Sequence, residues 1–392
     1  MRETDKEVHV ITGGGGYPGF CLGKQLIHDG HLVRLLDIRE PTTDLLDGME
    51  FIKGDIRKLE DVNKAFTDSS IVYHMASFGM SGRDQLNKKL IDEINIGGTE
   101  NVIKACYENN IKRLVFTSTY NVVYGGEEII NGDESLPYLS DHKFTDQYSK
   151  TKREAEEKVL DVNNTVTSDG HTRLYTCALR LAGVYGPGEQ RHIPRIVSYI
   201  EQGLTVVIYG AKESKVDFLH VDNLVQGHIL AGQALSKHKN QKVAGQVYFL
   251  SDGKPINNFE FFRPLFEDLG YTYPKIRLPF NVIFYMAFLI EIIHSIVGRF
   301  YNFQPLLTRT EVYKTGITHY FSINKASEEL GYKPTVQNDL SQVVKYYQKI
   351  GRVKQPKSSK TLKYYFVNLI IFFIIFSIIM SFLPTATGPY MR

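Results

Sequence analysis

The stretch that most confines this chain runs from Glu7 to His28. Glu7 to Thr12 (EVHVIT) is a short β-type run, and Gly13-Gly14-Gly15-Gly16-Tyr17-Pro18-Gly19 follows it without a spacer. Phe20 to His28 then reads as helix. Glycines at 13, 16 and 19 leave the backbone bare where a Cβ would hold a ligand away. The N–H groups of such a turn, together with the first turn of the helix behind it, collect a pyrophosphate. A G-x-G-x-x-G spacing carries weight only between a strand and a helix, which is its setting here. The N-terminal half is therefore expected to be a dinucleotide-binding α/β sheet.

The next runs keep that rhythm. Leu32 to Ile38 is a second strand, and it ends in Asp37, about twenty residues past the glycines, where a carboxylate accepts the ribose hydroxyls of the adenosine. It would repel a 2′-phosphate, so NAD is favoured over NADP, with Arg34 and Arg39 pulling the other way. A third strand, Glu50 to Gly54, leads to Asp55, placed to reach the adenine amino group. A fourth, Ile71 to Ser77, ends in His74-Met75-Ala76-Ser77, with the small Ala76 where the chain passes close to the cofactor. His74 is read as a satisfied core histidine. Helical stretches at Leu59 to Phe66 and Asp84 to Asn109 alternate with these strands. The pattern is that of a Rossmann-type, doubly wound parallel sheet.

Chemistry in such a sheet gathers beyond the carboxyl ends of the strands. The fifth strand, Arg113 to Thr119, brings Ser118 and Thr119 there, and either hydroxyl can hold a substrate oxygen. Tyr148 and Lys152 lie four residues apart at the start of a Lys-, Glu- and Ala-rich helical run, so they share one face. A phenol in water titrates near ~10, and a neighbouring cation favours its phenolate, which suits it to moving a proton on or off an alcohol.

The ordered set Thr12-Gly13-x-x-Gly16-x-x-Gly19, Asp55, Asn95, Ser118-Thr119 and Tyr148-x-x-x-Lys152 resembles the extended short-chain dehydrogenases/reductases. So do Asn95-Ile96-x-Gly98-Thr99, Arg180-x-x-x-Val184-Tyr185-Gly186-Pro187 and Asp217-Phe218-x-His220-Val221-Asp222. Leu174 to Arg180 and Ile129 to Glu134 are similar to the 3β-hydroxysteroid dehydrogenase/isomerase group, and most like its family 42E members. The resemblance covers Val8 to Gly351. It implies Tyr148 as general base or acid, and Lys152 as the residue that binds the nicotinamide ribose and acidifies Tyr148. The substrate-binding hydroxyl falls on Thr119, with Ser118 beside it, and Asn95 on a structural water or backbone kink. It also implies hydride exchange between NAD and a secondary alcohol, plausibly a sterol 3β-hydroxyl. A sterol-4-carboxylate 3-dehydrogenase is the nearest rival. It would require a basic residue of the substrate lobe aimed at the carboxylate. A catalytically idle NAD-binding membrane scaffold is the rival from another class.

The division expected is a Rossmann domain over 7–186 and a smaller C-terminal substrate lobe over 187–351, interleaved with the sheet. A basic linker, 352–363, and a membrane anchor, 364–383, follow. Tyr364 to Leu383 has no charge over about 20 residues, the length that crosses a bilayer. Lys354, Lys357, Lys360 and Lys363 precede it, which leaves the catalytic body in the cytosol, on the endoplasmic reticulum if the steroid resemblance holds. A second apolar run, 278–297, contains Glu291 and His294, and the polar Arg309 to Lys349 must rejoin the body. An interfacial or buried helix is expected there rather than a span. A net charge of +3 over 392 residues argues against nucleic acid. Three scattered cysteines argue against a disulfide frame or zinc site. Met1 to Glu7 has no basic-then-apolar leader, which argues against a secretory signal. Glu291-x-x-His294 has no second copy, so no metal is expected. The expected partners are a sterol-like substrate and a membrane, with room for a homodimer.

Overall fold

A computed structural model describes residues 6–80, 85, 87–236, 242–297 and 307–355. Seven strands form one parallel sheet: β1 (Val8–Thr12), β2 (Leu32–Asp37), β3 (Met49–Lys53), β4 (Ile71–His74), β5 (Arg113–Thr119), β6 (Arg173–Leu181) and β7 (Gln246–Leu250). Their order across the sheet is β7-β6-β5-β4-β1-β2-β3, and the short strand Thr165–Val166 adds to β6 antiparallel. The order reverses between β1 and β4, and at this switch point a crevice opens above the carboxyl ends. The central strands β1 and β4 are almost wholly buried, as a sheet covered on both faces requires. One core layer joins α1 (Tyr17–His28) and α5 (Val221–Ala234) to Ile11, Leu35 and Val115. The other joins α2 (Leu59–Phe66), α3 (Gly98–Glu108) and α4 (Gln147–Asp161) to Val10, Val72 and Phe116.

The sheet agrees with the sequence to within a residue or two at most strand ends, and β5 matches at both. The fourth strand stops at His74, three residues early, and Met75-Ala76-Ser77 continue as loop. The expected helix from Asp84 to Asn109 is broken instead. A short helix, Lys88–Asp92, runs into a π-helical turn, Glu93–Gly97, before α3. Asn95 explains the break: its amide donates to the Phe78 carbonyl (3.0 Å) and to Thr151 Oγ1 (2.9 Å), and accepts from Phe78 N (2.8 Å). The extra residue of the π turn aims Asn95 inward, so it clamps the loop after β4 to the helix that carries Tyr148.

Two short parallel pairs join segments far apart in the chain. His319–Phe321 pairs with Ile129–Gly132, and Phe218–His220 pairs with Gly183–Tyr185. Asp217 accepts from Phe321 N (2.8 Å), and Asp252 gathers His220 N, Asn223 and the Tyr185 hydroxyl. The residues of the second-half motifs therefore knit the lobe together.

The run expected at 278–297 is helix α6 (Phe280–Val297), laid against α7 (Arg309–Gly316). Ile283 and Ala287 are buried against Tyr209 and Val312, while Phe280 and Phe284 meet the Tyr313 ring. Glu291 turns inward to Arg309, at 2.7 Å from both its Nε and its backbone N. The outward face is apolar and exposed: Val282, Tyr285, Met286, Leu289 and Ile293 repeat at helical spacing. Among the described residues no helix is long and apolar enough to cross a membrane. The anchor expected at 364–383, and all but the first residues of the linker, lie outside the described residues.

Candidate active site

Gly13 opens the crevice. Its φ of +73° favours glycine, and a Cβ there would stand 2.8 Å from the Ala76 backbone nitrogen. Gly19 packs the first turn of α1 onto the Gly13 carbonyl with the same lack of room. Gly16 is the N-cap of α1, and Pro18 occupies the first turn where no N–H is needed. The result is a bare cradle at a helix N-terminus, closed on one side by Ala76, whose N–H reaches Thr12 Oγ1 (3.3 Å). Asp37 ends β2 at the rim, accepting from Gly15 N and Arg39 N at 3.1 Å each. Arg34 is turned away to Glu50 (3.1 Å) and the end of α2, so it does not share the rim with Asp37. Asp55 lies farther along, bound by Arg57 (2.5 Å), which leaves its carboxylate less free to reach an adenine than the sequence suggests.

His74 is a core histidine, as expected. Thr12 Oγ1 (2.7 Å) and Thr99 Oγ1 (2.9 Å) satisfy both ring nitrogens, and burial pushes it down to about 3.

The helix α4 starts at Asp146, whose carboxylate caps Ser149 N (2.7 Å) and pairs with Lys314 (3.2 Å). Tyr148 and Lys152 then share its buried face. Ser77, on the loop that passes Gly13, is near enough to favour the phenolate of Tyr148. Burial pushes this phenol up to about 12, and the charge of Arg191 and the Ser77 hydroxyl pull against that rise. Arg191 is a cation that bears on Tyr148 and that the sequence did not point to. The Lys152 ammonium donates to the Thr117 carbonyl (2.6 Å) and sits 3.9 Å over the Phe116 ring. Burial brings it down to about 7, with the Glu156 carboxylate resisting.

The two neighbouring hydroxyls separate cleanly. Ser118 donates to Glu156, away from the crevice. Thr119 Oγ1, on the other face of β5, accepts from Asn121 N (3.3 Å) and Nδ2 (2.8 Å). Glu156 also takes the Tyr138 hydroxyl (2.9 Å) and the Arg180 guanidinium (2.7 and 3.0 Å). Both ends of that ion pair are buried. Ser77, Glu156 and Arg191 were not singled out from the sequence. Glu156, one turn beyond Lys152 on the same face, is the one that helical spacing could have pointed to.

The profile of the 3-beta hydroxysteroid dehydrogenase/isomerase family matches residues 10–280. Short-chain dehydrogenase/reductase family 42E member 1 of Homo sapiens is 53% identical over 387 residues, covering 98% of each chain. 3beta-hydroxysteroid-dehydrogenase/decarboxylase isoform 1 of Arabidopsis thaliana is 32% identical over 397 residues, covering 96% of this chain and 88% of that protein. Among solved structures, gox2253 superimposes with a TM-score of 0.69 at 23% identity, over 89% of this chain and 100% of its own. MoeE5 in complex with UDP-glucose and NAD gives 0.66 at 19% identity, over 87% and 99%. These two likenesses establish the fold.

Proposed function

The chain belongs to the 3-beta hydroxysteroid dehydrogenase/isomerase family, and on that premise we propose that it is an NAD-dependent oxidoreductase acting on a sterol-like secondary alcohol at a membrane surface. The observation that carries the reading is a glycine cradle that side chains would fill, at the start of a helix, together with Tyr148 and Lys152 on one buried face of α4. The residues present fit a dinucleotide. Gly13, Gly16, Gly19 and the N-terminus of α1 would hold its pyrophosphate. Asp37 at the rim would accept ribose hydroxyls, Ala76 would border the ring, and Asp55 with Arg57 would bound the adenine end. NAD, when bound, supplies the hydride acceptor or donor.

The protein's own part is to orient the alcohol and manage one proton. Thr119 holds the substrate oxygen near Tyr148, and Tyr148 takes the hydroxyl proton or returns it. Ser77 and Arg191 pull against the rise imposed by burial, and Lys152 on the same face adds a further cation for the nicotinamide ribose. Ser118, committed to Glu156, fixes the end of β5 against α4 instead of touching substrate. Fixing the reacting groups in register supplies much of the rate.

Two features support a lipid-like substrate. The exposed apolar face of α6 suits the interface of a bilayer, and on its inner side Phe280, Phe284 and Tyr313 continue to Gly126 and Tyr124, past the end of β5. A sterol could thus reach the crevice without crossing water. With an anchor at 364–383, the body would sit on the cytosolic side of the endoplasmic reticulum. The test incubates membranes carrying the protein with NAD and a panel of 3β-hydroxysterols, following NADH and ketones together. Conversion of some other alcohol class, and of no sterol, would remove the substrate assignment.

Arg191 favours a second reading. A sterol-4-carboxylate 3-dehydrogenase needs a lobe cation aimed at the reacting centre, and Arg191 is one. A 4-carboxysterol in the same panel separates the two: release of CO₂ that disappears in Arg191→Ala supports decarboxylation.

A further inference from the structure

At the opposite end of the sheet from the crevice, Glu7, His9 and His31 form a cluster that the proposed reaction does not use. Val8 lies between Glu7 and His9, so both side chains leave β1 on one face. The parallel register pairs Val8 with Leu32 and His9 with Val33, and Leu32 N donates to the Glu7 carbonyl (3.1 Å). His31 therefore sits beside Glu7 at the same strand ends. The His9 and His31 rings are 4.3 Å apart, and His9 Nε2 is 3.7 Å from Glu7 Oε2. One donor atom from each of the three residues falls within 4.8 Å of the others.

His9 is 4% exposed, and neither of its ring nitrogens has a hydrogen-bond partner. His31 Nδ1 is likewise buried and unpartnered. Buried ring nitrogens without a hydrogen-bond partner are costly to leave so, and one from each ring lies near the Glu7 carboxylate. Arg113 takes the other Glu7 oxygen while bonding the Gly232 carbonyl (3.2 Å). It thus orients the carboxylate as outer partners of metal ligands do.

We infer that Glu7, His9 and His31 bind a first-row divalent metal ion, zinc foremost, that ties β1 to β2. Two imidazoles and a carboxylate are a recurrent three-residue zinc set, with a fourth position left to water. Bonds of about 2.0–2.2 Å require donor atoms about 3.4 Å apart in a tetrahedron. The needed closure falls to Glu7 and His31, which are partly exposed and stand at strand ends. Arg113 adds positive charge nearby, so micromolar affinity is expected.

The experiment uses the full chain in detergent, without a histidine tag and stripped by chelator. Co²⁺ titration is expected to give the visible bands of a tetrahedral site at one equivalent, abolished by Zn²⁺, and Zn²⁺ is expected to raise Tm by roughly 3 °C. Glu7→Gln and His31→Ala, both at partly exposed positions, should each weaken binding by about tenfold or more and abolish the Tm rise. His171→Ala, on an exposed turn, should change neither. Absence of micromolar binding in the wild type overturns the inference, as does unchanged binding in His31→Ala.

Discussion

Two helices of this protein invert the usual rule of burial, in opposite directions. The helix α4 (QYSKTKREAEEKVLD) is mostly polar, yet Tyr148, Ser149, Thr151, Lys152 and Glu156 are buried. The helix α6 is nearly all apolar, yet Tyr285 is 67% and Leu289 57% exposed. Polar burial in α4 is tolerated because partners are built for it: Asn95 for Thr151, the Thr117 carbonyl for Lys152, and Ser118, Tyr138 and Arg180 for Glu156. The exposed apolar side chains of α6 form an outward stripe, the kind of surface that marks an interaction site. Departures from local rules mark the places where function overrides stability. On the proposed reading, one marks the proton chemistry and the other a surface that would meet a lipid phase.

The contrast is tested first at its chemical end. Tyr148→Phe removes one oxygen and leaves the ring packed, so turnover should fall about 10²–10⁴-fold, while NAD binding, followed by fluorescence quenching or calorimetry, persists. Retained turnover would make α4 an ordinary buried helix, and retained cellular function without turnover would favour the idle scaffold. The network beneath comes next. Glu156→Ala strands a buried guanidinium, and breaking such a pair costs about 3–5 kcal/mol, read as a lowered midpoint in chemical denaturation. Replacing both partners, Glu156→Met with Arg180→Met, should recover much of that loss. If the single variant is neutral, the pair is not what makes the polar burial tolerable.

A smaller effect is carried by pH. Burial brings Lys152 from 10.5 to about 7 in the folded chain, with Glu156 opposing. Between those values the unfolded chain binds more protons than the folded one, so this residue makes stability rise as pH rises from about 7 towards 10. Its contribution is least favourable below pH 7, where folding must bury the charge. Lys152→Met should flatten that limb in denaturation curves taken across the range, and an unchanged slope would mean that the ammonium is not desolvated as described.

How far the sequence reaches follows the same divide. The glycine cradle, β5 and the shared face of Tyr148 and Lys152 were legible because backbone room and helical spacing are local requirements. The partner of Lys152, the choice between Ser118 and Thr119, and the approach of Arg191 were not, because each depends on contacts between segments far apart in the chain. Ser118 and Thr119 are adjacent, and strand alternation alone sends one to Glu156 and the other to the opposite face. The sequence could say that they differ but not which faces the crevice. For α6 the apolar run was plain, and Glu291 argued against a span. Only the fold places Glu291 on Arg309 and so frees the opposite face.

That face gives the smallest and most direct reading. The chain has no tryptophan, so Tyr285→Trp installs a single reporter at the centre of the outward stripe with little change in size or polarity. In water an indole at a position this exposed emits at long wavelength. Set into the headgroup and acyl boundary, where amphipathic aromatic rings favourably sit, it emits at shorter wavelength and is quenched by brominated acyl chains. A blue shift on reconstitution of the full chain into vesicles, with quenching by bromolipid, would place α6 in the interface. Adding Leu289→Glu to the reporter should reverse both signals, because a charge on the stripe favours water while the inner edge at Ile283 and Ala287 stays packed. If the emission stays that of an indole in water, α6 does not meet the bilayer. The exposed apolar surface of α6 would then need another partner, and the route proposed for a sterol past Phe280, Phe284 and Tyr313 would lose its opening.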